Sequence, residues 1–198
     1  MGKRSNFERV DKDYYRTFDP RAYPPLLRFL PRASKFIEPC AGEGDMVRAL
    51  EGHGHECVYA SDIEPKEATG LFSSTICARD ALEYTRPEDV AYNRYEIVSN
   101  PPWKRKWLHL LIDHLRQQHR TWLLFDADWA FTVQERIARD HGVRTVPELM
   151  RHCSMIIAVG RLQWIEGSDH AAQDSVAWYC FDDQIHPHTQ FYPKEGSV

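Results

Sequence analysis

The sequence lacks the features expected of membrane, secreted or metal-binding proteins. No apolar run among its 198 residues approaches the ~20 residues that cross a bilayer. The basic start, residues 1–6, has no apolar stretch behind it and predicts no secretory signal. Five cysteines lie far apart without a C-x-x-C pair, and ten histidines show no ligand spacing. These absences predict a cytoplasmic protein with reduced thiols and no metal site.

Two common phosphate-binding motifs are also missing. The sequence contains neither G-x-G-x-x-G nor G-K-[ST], so neither dinucleotide nor triphosphate binding is indicated. The net charge of −4 is unfavourable for neutralising phosphates. Basic residues nevertheless exceed acidic ones in residues 1–37 and 103–151. This distribution predicts either a basic rim that receives a polyanion or chance clustering on solvated helix faces.

What the chain does contain is enough apolar material for one folded unit. With 42% hydrophobic and 12% aromatic residues, it predicts a single well-buried α/β domain over residues 1–198. No internal repeat or second domain is indicated. Residues 182–198, rich in polar residues, histidine and proline, predict a loosely ordered tail.

Four short apolar runs in the first half predict strands, each followed by residues that can bind a ligand. The run at residues 35–38 precedes a turn with Gly42 and Gly44, and the next run ends at Asp62. A third run precedes Asp80, and a fourth, residues 95–99, precedes Asn100. Because ligands bind at the carboxyl edge of parallel sheets, these residues predict one common site.

The stretch Asn100-Pro101-Pro102-Trp103 carries the most specific chemistry. Two prolines stiffen the exit from the strand and hold the Asn100 carboxamide and the Pro101 carbonyl at a fixed spacing. Both groups can accept hydrogen bonds from one amino group. Trp103 offers a flat face for stacking. The motif predicts a planar, NH2-bearing target, although a proline-stiffened turn beside a core tryptophan would have the same sequence.

The earlier strand ends predict the character of a second ligand. A carboxylate at Glu38 repels phosphate and suits an amine or cation, and Asp62 can accept both hydroxyls of a ribose, with Glu64 as the substitute if the register slips. Asp80 either binds the ligand or caps the following helix, or does both. The alternative for the glycine segment is an ordinary strand-to-helix turn.

The second half of the chain predicts three further strands. Residues 104–119 predict an amphipathic helix with Trp107 on its apolar side, and residues 121–125 predict a fifth strand. Trp129 after that strand is either a second wall of the target pocket or a core residue. Residues 130–152 predict polar helical structure, and residues 154–161 and 174–181 predict an antiparallel strand pair.

The motifs together resemble a known family. A strand followed by Asn-Pro-Pro-aromatic resembles the catalytic motif of S-adenosylmethionine-dependent amino methyltransferases, above all the adenine-N6 DNA enzymes of phages and bacteria. The glycine turn at 38–45 is similar to that of class I methyltransferases, and residues 162–169 resemble the G-R-x-x-F/W-x loop of small phage and bacterial adenine methyltransferases. The resemblance covers residues 13–181, with the cofactor motif before the catalytic motif, as in the γ arrangement of these enzymes.

The resemblance implies a Rossmann-like, seven-stranded α/β/α methyltransferase sheet with a C-terminal antiparallel hairpin. It also implies a cofactor-lining segment within residues 1–32 and a loop at 162–169 beside the substrate. The implied cofactor, S-adenosylmethionine, would contact Tyr14, Thr17, Glu38, Pro39, Gly42, Gly44, Asp62, Ile63, Asp80, Ala81 and Asn100. The implied catalytic residues are Asn100, Pro101, Pro102 and Trp103. The implied substrate-binding residues are Lys104, Arg105, Trp129 and Arg161.

The activity implied by the resemblance is methyl transfer to the N6 amino group of adenine in DNA. Transfer to RNA, to cytosine N4 or to a protein glutamine stays open, as does a binding module that has lost catalysis. The sequence predicts neither a recognition sequence, nor a strand preference, nor an oligomeric state.

Overall fold

The computed structural model describes residues 15–66, 75–167 and 174–194. Its centre is one eight-stranded sheet in the order β3-β2-β1-β4-β5-β7-β6-β8. The strands are β1 (Lys35–Glu38), β2 (Glu56–Asp62), β3 (Ile76–Ala78), β4 (Glu96–Ser99), β5 (Arg120–Asp126), β6 (Cys153–Gly160), β7 (Val176–Phe181) and β8 (Gln190–Tyr192). β7 pairs antiparallel with both β5 and β6, and every other pair is parallel.

Helices cover both faces of the sheet. They are α1 (Tyr23–Leu27), α2 (Asp45–Gly52), α3 (Arg105–Leu115), α4 (Glu135–His141) and α5 (Val146–Met150). Apolar residues of α1 and α2 belong to one buried cluster, and those of α3 and α5 belong to a second cluster. The expected Rossmann-like α/β/α architecture with a C-terminal antiparallel pair is therefore confirmed.

The number of strands differs from the expected seven. The eighth strand, β8, lies in the segment predicted to be a loose tail, and it pairs with β6 from Met155↔Gln190 to Ile157↔Tyr192. The Thr189 hydroxyl donates to the Cys153 carbonyl at 2.9 Å and fixes the start of this pairing. Three residues are too few to show a periodic pattern, so tertiary contacts rather than local preference decide this strand.

Helix positions differ from the prediction mainly at their ends. The helix expected over 104–119 ends at Leu115, and the polar helical segment of 130–152 forms the two short helices α4 and α5. Near the start, Asp19 caps a 3-10 helix, Pro20–Ala22, and prolines occupy the first turn of α1. Proline suits this place because the first helical N–H groups have no intrahelical partner.

The strand order places a crevice between β1 and β4. From β1 the chain proceeds outward through β2 and β3, whereas β4 and β5 extend in the other direction. The loops that follow β1 and β4 therefore diverge and leave a gap at the carboxyl edge. This gap determines where the candidate site lies.

Candidate functional site

A pocket of about 510 Å³ occupies the gap. Its walls include residues that end or follow β1, β2, β3 and β4, where the sequence predicted ligand-binding residues. The lining comprises Tyr15, Arg16, Thr17, Glu38, Pro39, Cys40, Ala41, Gly42, Glu43, Asp45, Met46, Asp62, Ile63, Glu64, Lys66, Asp80, Ala81, Leu82, Asn100, Pro102, Lys104, Trp107 and Leu111.

The glycine turn is held against the end of β2. Gly42 and Gly44 have φ values of 52° and 79°, which glycine adopts without the penalty other residues incur. The Gly42 N–H donates to Asp62 Oδ2 at 2.9 Å, and the Glu64 N–H donates to Oδ1 at 2.8 Å. Asp62 therefore shapes this wall of the pocket, and each of its oxygens retains acceptor capacity.

Glu38 is the most deeply buried carboxyl group of the pocket, with 2% of its surface exposed. The Val47 N–H donates to this carboxyl group, but Oε2 has no hydrogen-bond partner within the described residues. Burial, followed by the charges of Asp62 and Asp45, raises the pKa of Glu38 well above its ordinary value. An unpaired buried acceptor is costly unless a ligand supplies a donor.

Asp80 and its neighbours form the far wall. The Leu82 N–H donates to Asp80 Oδ1 at 2.9 Å, so Asp80 caps the 3-10 helix Ala81–Glu83. Ile63 lines the same pocket and is 68% exposed. An exposed isoleucine beside a polar cap offers an apolar surface for a planar group.

Asn100 is bonded through both ends of its carboxamide. Its Nδ2 donates to the Tyr15 carbonyl and to Thr17 Oγ1, each at 3.0 Å. Its Oδ1 accepts from Trp103 Nε1, also at 3.0 Å. Thr17 is buried, and its own carbonyl accepts from the Tyr23 hydroxyl. The Asn100 carboxamide is thus fixed by the N-terminal segment on one side and by its own motif on the other.

The remaining motif residues have different positions. Pro102 lines the pocket, Pro101 is buried, and Trp103 lies outside the lining among the described residues. The Trp103 ring meets Trp164 edge-on, with centroids 5.4 Å apart and planes at 90°. Tyr15 contacts Trp164 in the same manner at 6.4 Å. Three aromatic rings therefore surround the outer side of Asn100.

Many lining residues were missed by sequence reasoning, Arg16 and Trp107 among them. Arg16 bonds to Asp45 at 2.8 and 2.9 Å and pairs with Glu43 and Glu166 at 3.2 Å. Hydrogen bonding to Asp45 raises the pKa of Arg16, so its charge is permanent. No local pattern distinguishes Arg16 from the other basic residues of its segment, because its partners are far away in sequence.

Trp107 is the second residue that sequence reasoning missed as a site residue. Helical spacing placed it on the apolar side of α3, but its side chain is 43% exposed and lines the pocket. The Lys106 ammonium lies 4.7 Å from the centre of its ring. The neighbouring basic triplet in the sequence was a signal that this turn of the helix faces solvent.

The expected substrate-binding residues separate in the structure. Lys104 is exposed and lines the pocket, whereas Arg105 is paired with Asp126 at 2.5 Å. Arg161 is exposed and lies outside the lining in the described part of the chain. Tyr14 falls outside the described residues. Of the four predicted substrate-binding residues, Lys104, Arg105, Trp129 and Arg161, only Lys104 lines the pocket in the described part of the chain.

Trp129 corrects the sequence interpretation. The sequence allowed either a second wall of the target pocket, the role assigned among the substrate-binding residues, or a core residue. Trp129 is a core residue: it is fully buried and its Nε1 donates to His109 Nε2 at 3.0 Å. Its ring packs edge-on against Phe125 and Tyr179. The 3-10 helix Ala127–Phe131 turns Trp129 back into the core, a direction that strand order alone does not predict.

The basic surplus of residues 103–151 is largely consumed by ion pairs. Arginines of this segment pair with carboxylates at distances from 2.5 to 3.7 Å. The paired arginines are Arg105, Arg116, Arg120, Arg136, Arg139 and Arg144. The predicted basic rim is therefore weaker than the residue count suggests.

Other kinds of site receive no support from the described residues. Among them, no cluster of three or more His, Cys, Asp or Glu side chains could hold a metal ion. None of the described helices combines the length and apolar character needed to span a membrane. Cys40 lines the pocket, and burial, with the nearby charge of Asp62, raises the pKa of its thiol. The Cys40 thiol therefore stays protonated at neutral pH.

Comparison with known proteins relies on structure alone, because no protein-family model and no curated protein matches the sequence. A type I restriction-modification methyltransferase subunit from Streptococcus thermophilus is similar with a TM-score of 0.55 and 9% identity. The match covers 92% of this chain and 49% of that chain. The chain thus spans about half the length of this protein and of two other type I system structures.

Two further solved structures cover more of their own length. The 23S rRNA methyltransferase ErmE has a TM-score of 0.55 at 14% identity, over 87% of this chain and 71% of that chain. A putative class I S-adenosylmethionine-dependent methyltransferase from Listeria monocytogenes has a TM-score of 0.52 at 9% identity, over 96% and 68%. The chain therefore has the fold of the class I S-adenosylmethionine-dependent methyltransferases.

Proposed function

We propose that the protein transfers a methyl group from S-adenosylmethionine to the N6 amino group of adenine in DNA. The observation that carries this proposal is the orientation of Asn100, whose carboxamide lies at the border of the pocket with its oxygen turned away from the N-terminal segment. An oriented acceptor beside a cofactor pocket is what amino-group transfer requires.

The pocket residues fit the cofactor on chemical grounds. S-adenosylmethionine carries an ammonium and a sulfonium group, and the unpaired Glu38 Oε2 lies in a pocket that also holds Asp45 and Asp62. Asp62 would accept from the ribose hydroxyls, and Asp80 would accept from the amino group of the cofactor adenine. The remaining contacts would come from the lining residues Thr17, Pro39, Gly42, Ile63, Ala81 and Trp107. Gly44, which is not in the lining, would act by shaping the turn.

When bound, the cofactor supplies an electrophilic methyl group. Asn100 Oδ1 and the Pro101 carbonyl would accept hydrogen bonds from the target amino group, so that its nitrogen lone pair is directed away from the base ring. No strong base is needed, because the amino proton becomes acidic only once the nitrogen has attacked. Orientation and proximity supply the main catalytic effect, which is worth several kcal/mol.

The target base would enter from the side of the aromatic residues. A base must leave the helical stack to reach such a pocket. Trp103 would stack on the base through ring surface that Trp164, which meets it edge-on, leaves uncovered, and the buried Trp129 would take no part. Lys104 at the rim would contact the phosphate backbone of the nucleic acid, and Arg161 would contact it further out. Arg105 would contribute less to this contact, because it is paired with Asp126.

RNA is the second candidate substrate, and a specific observation favours it. The likeness to ErmE extends over 71% of that rRNA methyltransferase, compared with 49% of the type I subunit. The ion-paired arginines of residues 103–151 also leave little free charge for a long DNA duplex. An amino group in a folded RNA would use the same Asn100 geometry.

One assay separates these possibilities. Labelled S-adenosylmethionine is incubated with unmethylated DNA, RNA and a protein extract, and the products are digested and identified. Label in N6-methyladenine from DNA supports the proposal, whereas label in N4-methylcytosine, RNA or protein glutamine replaces the substrate. No label anywhere, with cofactor binding confirmed by calorimetry, would reject transfer in favour of a binding module.

A further inference from the structure

A carboxamide can occupy its site in two orientations related by a half-turn. Only the orientation with Oδ1 toward the target amino group supports the proposed reaction, because the reverse would set two NH2 groups against each other. The surroundings of Asn100 therefore decide whether its Oδ1 can accept a hydrogen bond from the target amino group.

Two contacts select one orientation, and a third is compatible with it. The Tyr15 carbonyl only accepts hydrogen bonds, and the Trp103 indole N–H only donates them. The Tyr15 carbonyl oxygen lies 3.0 Å from Asn100 Nδ2, and Trp103 Nε1 lies 3.0 Å from Asn100 Oδ1. A half-turn would place two acceptors together at Tyr15 and two donors together at Trp103. Thr17 Oγ1, 3.0 Å from Nδ2, accepts the second amide hydrogen.

The same contacts leave Asn100 with one unused position. Both hydrogens of Nδ2 are donated, and Trp103 occupies one of the two lone-pair directions of Oδ1. The second lone pair of Oδ1 is the acceptor that remains for a substrate. Thr17 is itself held by its buried position and by the Tyr23 hydroxyl, which donates to its carbonyl.

We propose that Thr17 and Trp103 are positioning residues for Asn100: the Trp103 N–H selects the acceptor orientation of the carboxamide, and the Thr17 hydroxyl holds its NH2 group in place. The catalytic consequence rests on the proposed function, but the hydrogen-bond network does not. Trp103 thereby acts through its indole N–H as well as through its ring. The segment that borders the cofactor pocket also orients the group that receives the target.

The sequence offers a direct spectroscopic test, because it contains only three asparagines, Asn6, Asn93 and Asn100. Selective 15N-asparagine labelling gives three side-chain NH2 signals, and Asn100→Ala identifies the relevant pair. We expect the Asn100 NH2 protons to exchange with solvent at least about tenfold more slowly than those of the exposed Asn93, because both protons of the Asn100 NH2 group are hydrogen-bonded.

Variants separate positioning from general stability. Thr17→Val keeps the side-chain shape but removes the acceptor. It should speed the exchange of the NH2 hydrogen that Thr17 accepts and lower kcat about tenfold. KM for the cofactor, which Thr17 also borders, should rise by a smaller factor of about two to three. Thr17→Ser should restore both readouts. Thr121→Val, at a buried threonine whose hydroxyl donates to the His119 carbonyl at 2.8 Å, serves as the matched control and should change neither.

Trp103→Phe tests the indole N–H while keeping a ring that can stack. It should accelerate NH2 exchange at Asn100 and lower kcat, whereas unchanged exchange and an unchanged kcat would remove Trp103 from the proposal.

Exchange at Asn100 as fast as at Asn93 in the wild-type protein would overturn the network altogether. Retained slow exchange in Thr17→Val would overturn the role of Thr17. A wild-type protein without any transfer would reject the proposed function, while the NMR exchange would still decide the positioning.

Discussion

The proposed cofactor side of the pocket, around Asp62 and Asp80, and the proposed target side, around Asn100, are assembled from contacts of very different range in the sequence. On the cofactor side, the Gly42 N–H reaches Asp62, which is 20 residues away, and Asp80 caps the turn that directly follows it. On the target side, Asn100 bonds to residues 83 and 85 positions away, and Arg16 pairs with Glu166 across 150 positions. Local motifs therefore build one side, and the folded chain builds the other.

This difference has a functional consequence. The cofactor side can form as soon as β1 and β2 pair, whereas Asn100 depends on the N-terminal segment and on the loop that follows β6. The Asp19 carboxylate, which accepts from the Gln163 N–H at 2.8 Å, joins these two segments. Substitutions on the two sides should therefore differ in what they abolish.

The largest effect is expected for Asn100→Ala. Removing the oriented acceptor should lower methyl transfer by about 10³-fold, since it removes a contact made to the reacting group. Cofactor affinity, measured by calorimetry, should stay within about threefold of wild type. Asn93→Ala, at an exposed position, is the control. Normal transfer with weakened cofactor binding would assign Asn100 to the cofactor side instead.

Glu38→Gln should affect the cofactor side alone, with a loss of cofactor affinity of about 100-fold. It should also stabilise the ligand-free protein at neutral pH by about 1 kcal/mol, or about 2–4 °C in Tm. Folded Glu38 has a raised pKa, so it holds a proton that the unfolded chain releases above the ordinary value of 4.5. Stability of the wild type is therefore lost as the pH rises from that value.

Thermal unfolding of wild type and Glu38→Gln across this pH range measures the effect. The difference in Tm should grow as the pH rises above 4.5, the ordinary value for the glutamate, and vanish below it. A constant difference, or a variant that is less stable than wild type at neutral pH, would contradict the buried, unpaired carboxyl group.

Arg16→Gln should have a smaller effect, and it should impair both cofactor binding and methyl transfer. Its partners Asp45 and Glu166 lie on the glycine-turn helix and on the loop after β6. We expect both cofactor affinity and transfer to fall about tenfold, with the gap narrowing at high salt because these pairs are partly exposed. Lys35→Gln, which removes a surface pair with Glu56 at 2.8 Å, should leave both unchanged.

Trp129→Phe should have the smallest effect on transfer. A core tryptophan that loses its Nε1 bond to His109 should lower the free energy of unfolding by about 1–3 kcal/mol. The folded fraction should retain wild-type kcat and KM. A rise of KM for nucleic acid without loss of stability would return Trp129 to the target pocket.

The cofactor side was largely predictable from the sequence, for a physical reason. Glycine at positions 42 and 44 and carboxylates at the ends of β1 and β2 have direct local consequences, and the structure brings Glu38, Gly42, Asp62 and Asp80 together.

The target side was predictable only in its residue types. Nothing near Trp129 in the sequence indicates that it packs on His109. The basic triplet beside Trp107 indicates a turn that faces solvent, but not that the Trp107 ring lines the pocket. The contacts of Asn100 with Tyr15 and Thr17 depend on how separate segments dock. Likewise, β8 forms because β6 offers an edge, which three residues of sequence cannot reveal.

The position of β7 has a consequence for how the protein is made on the ribosome. β7 lies between β5 and β6 in the sheet but follows both in the chain. At ~5–20 residues per second, β5 emerges several seconds before its neighbour exists. During that interval its edge can pair with other chains, which is the usual route to aggregation. Slower synthesis should therefore lower the soluble yield unless chaperones cover this edge.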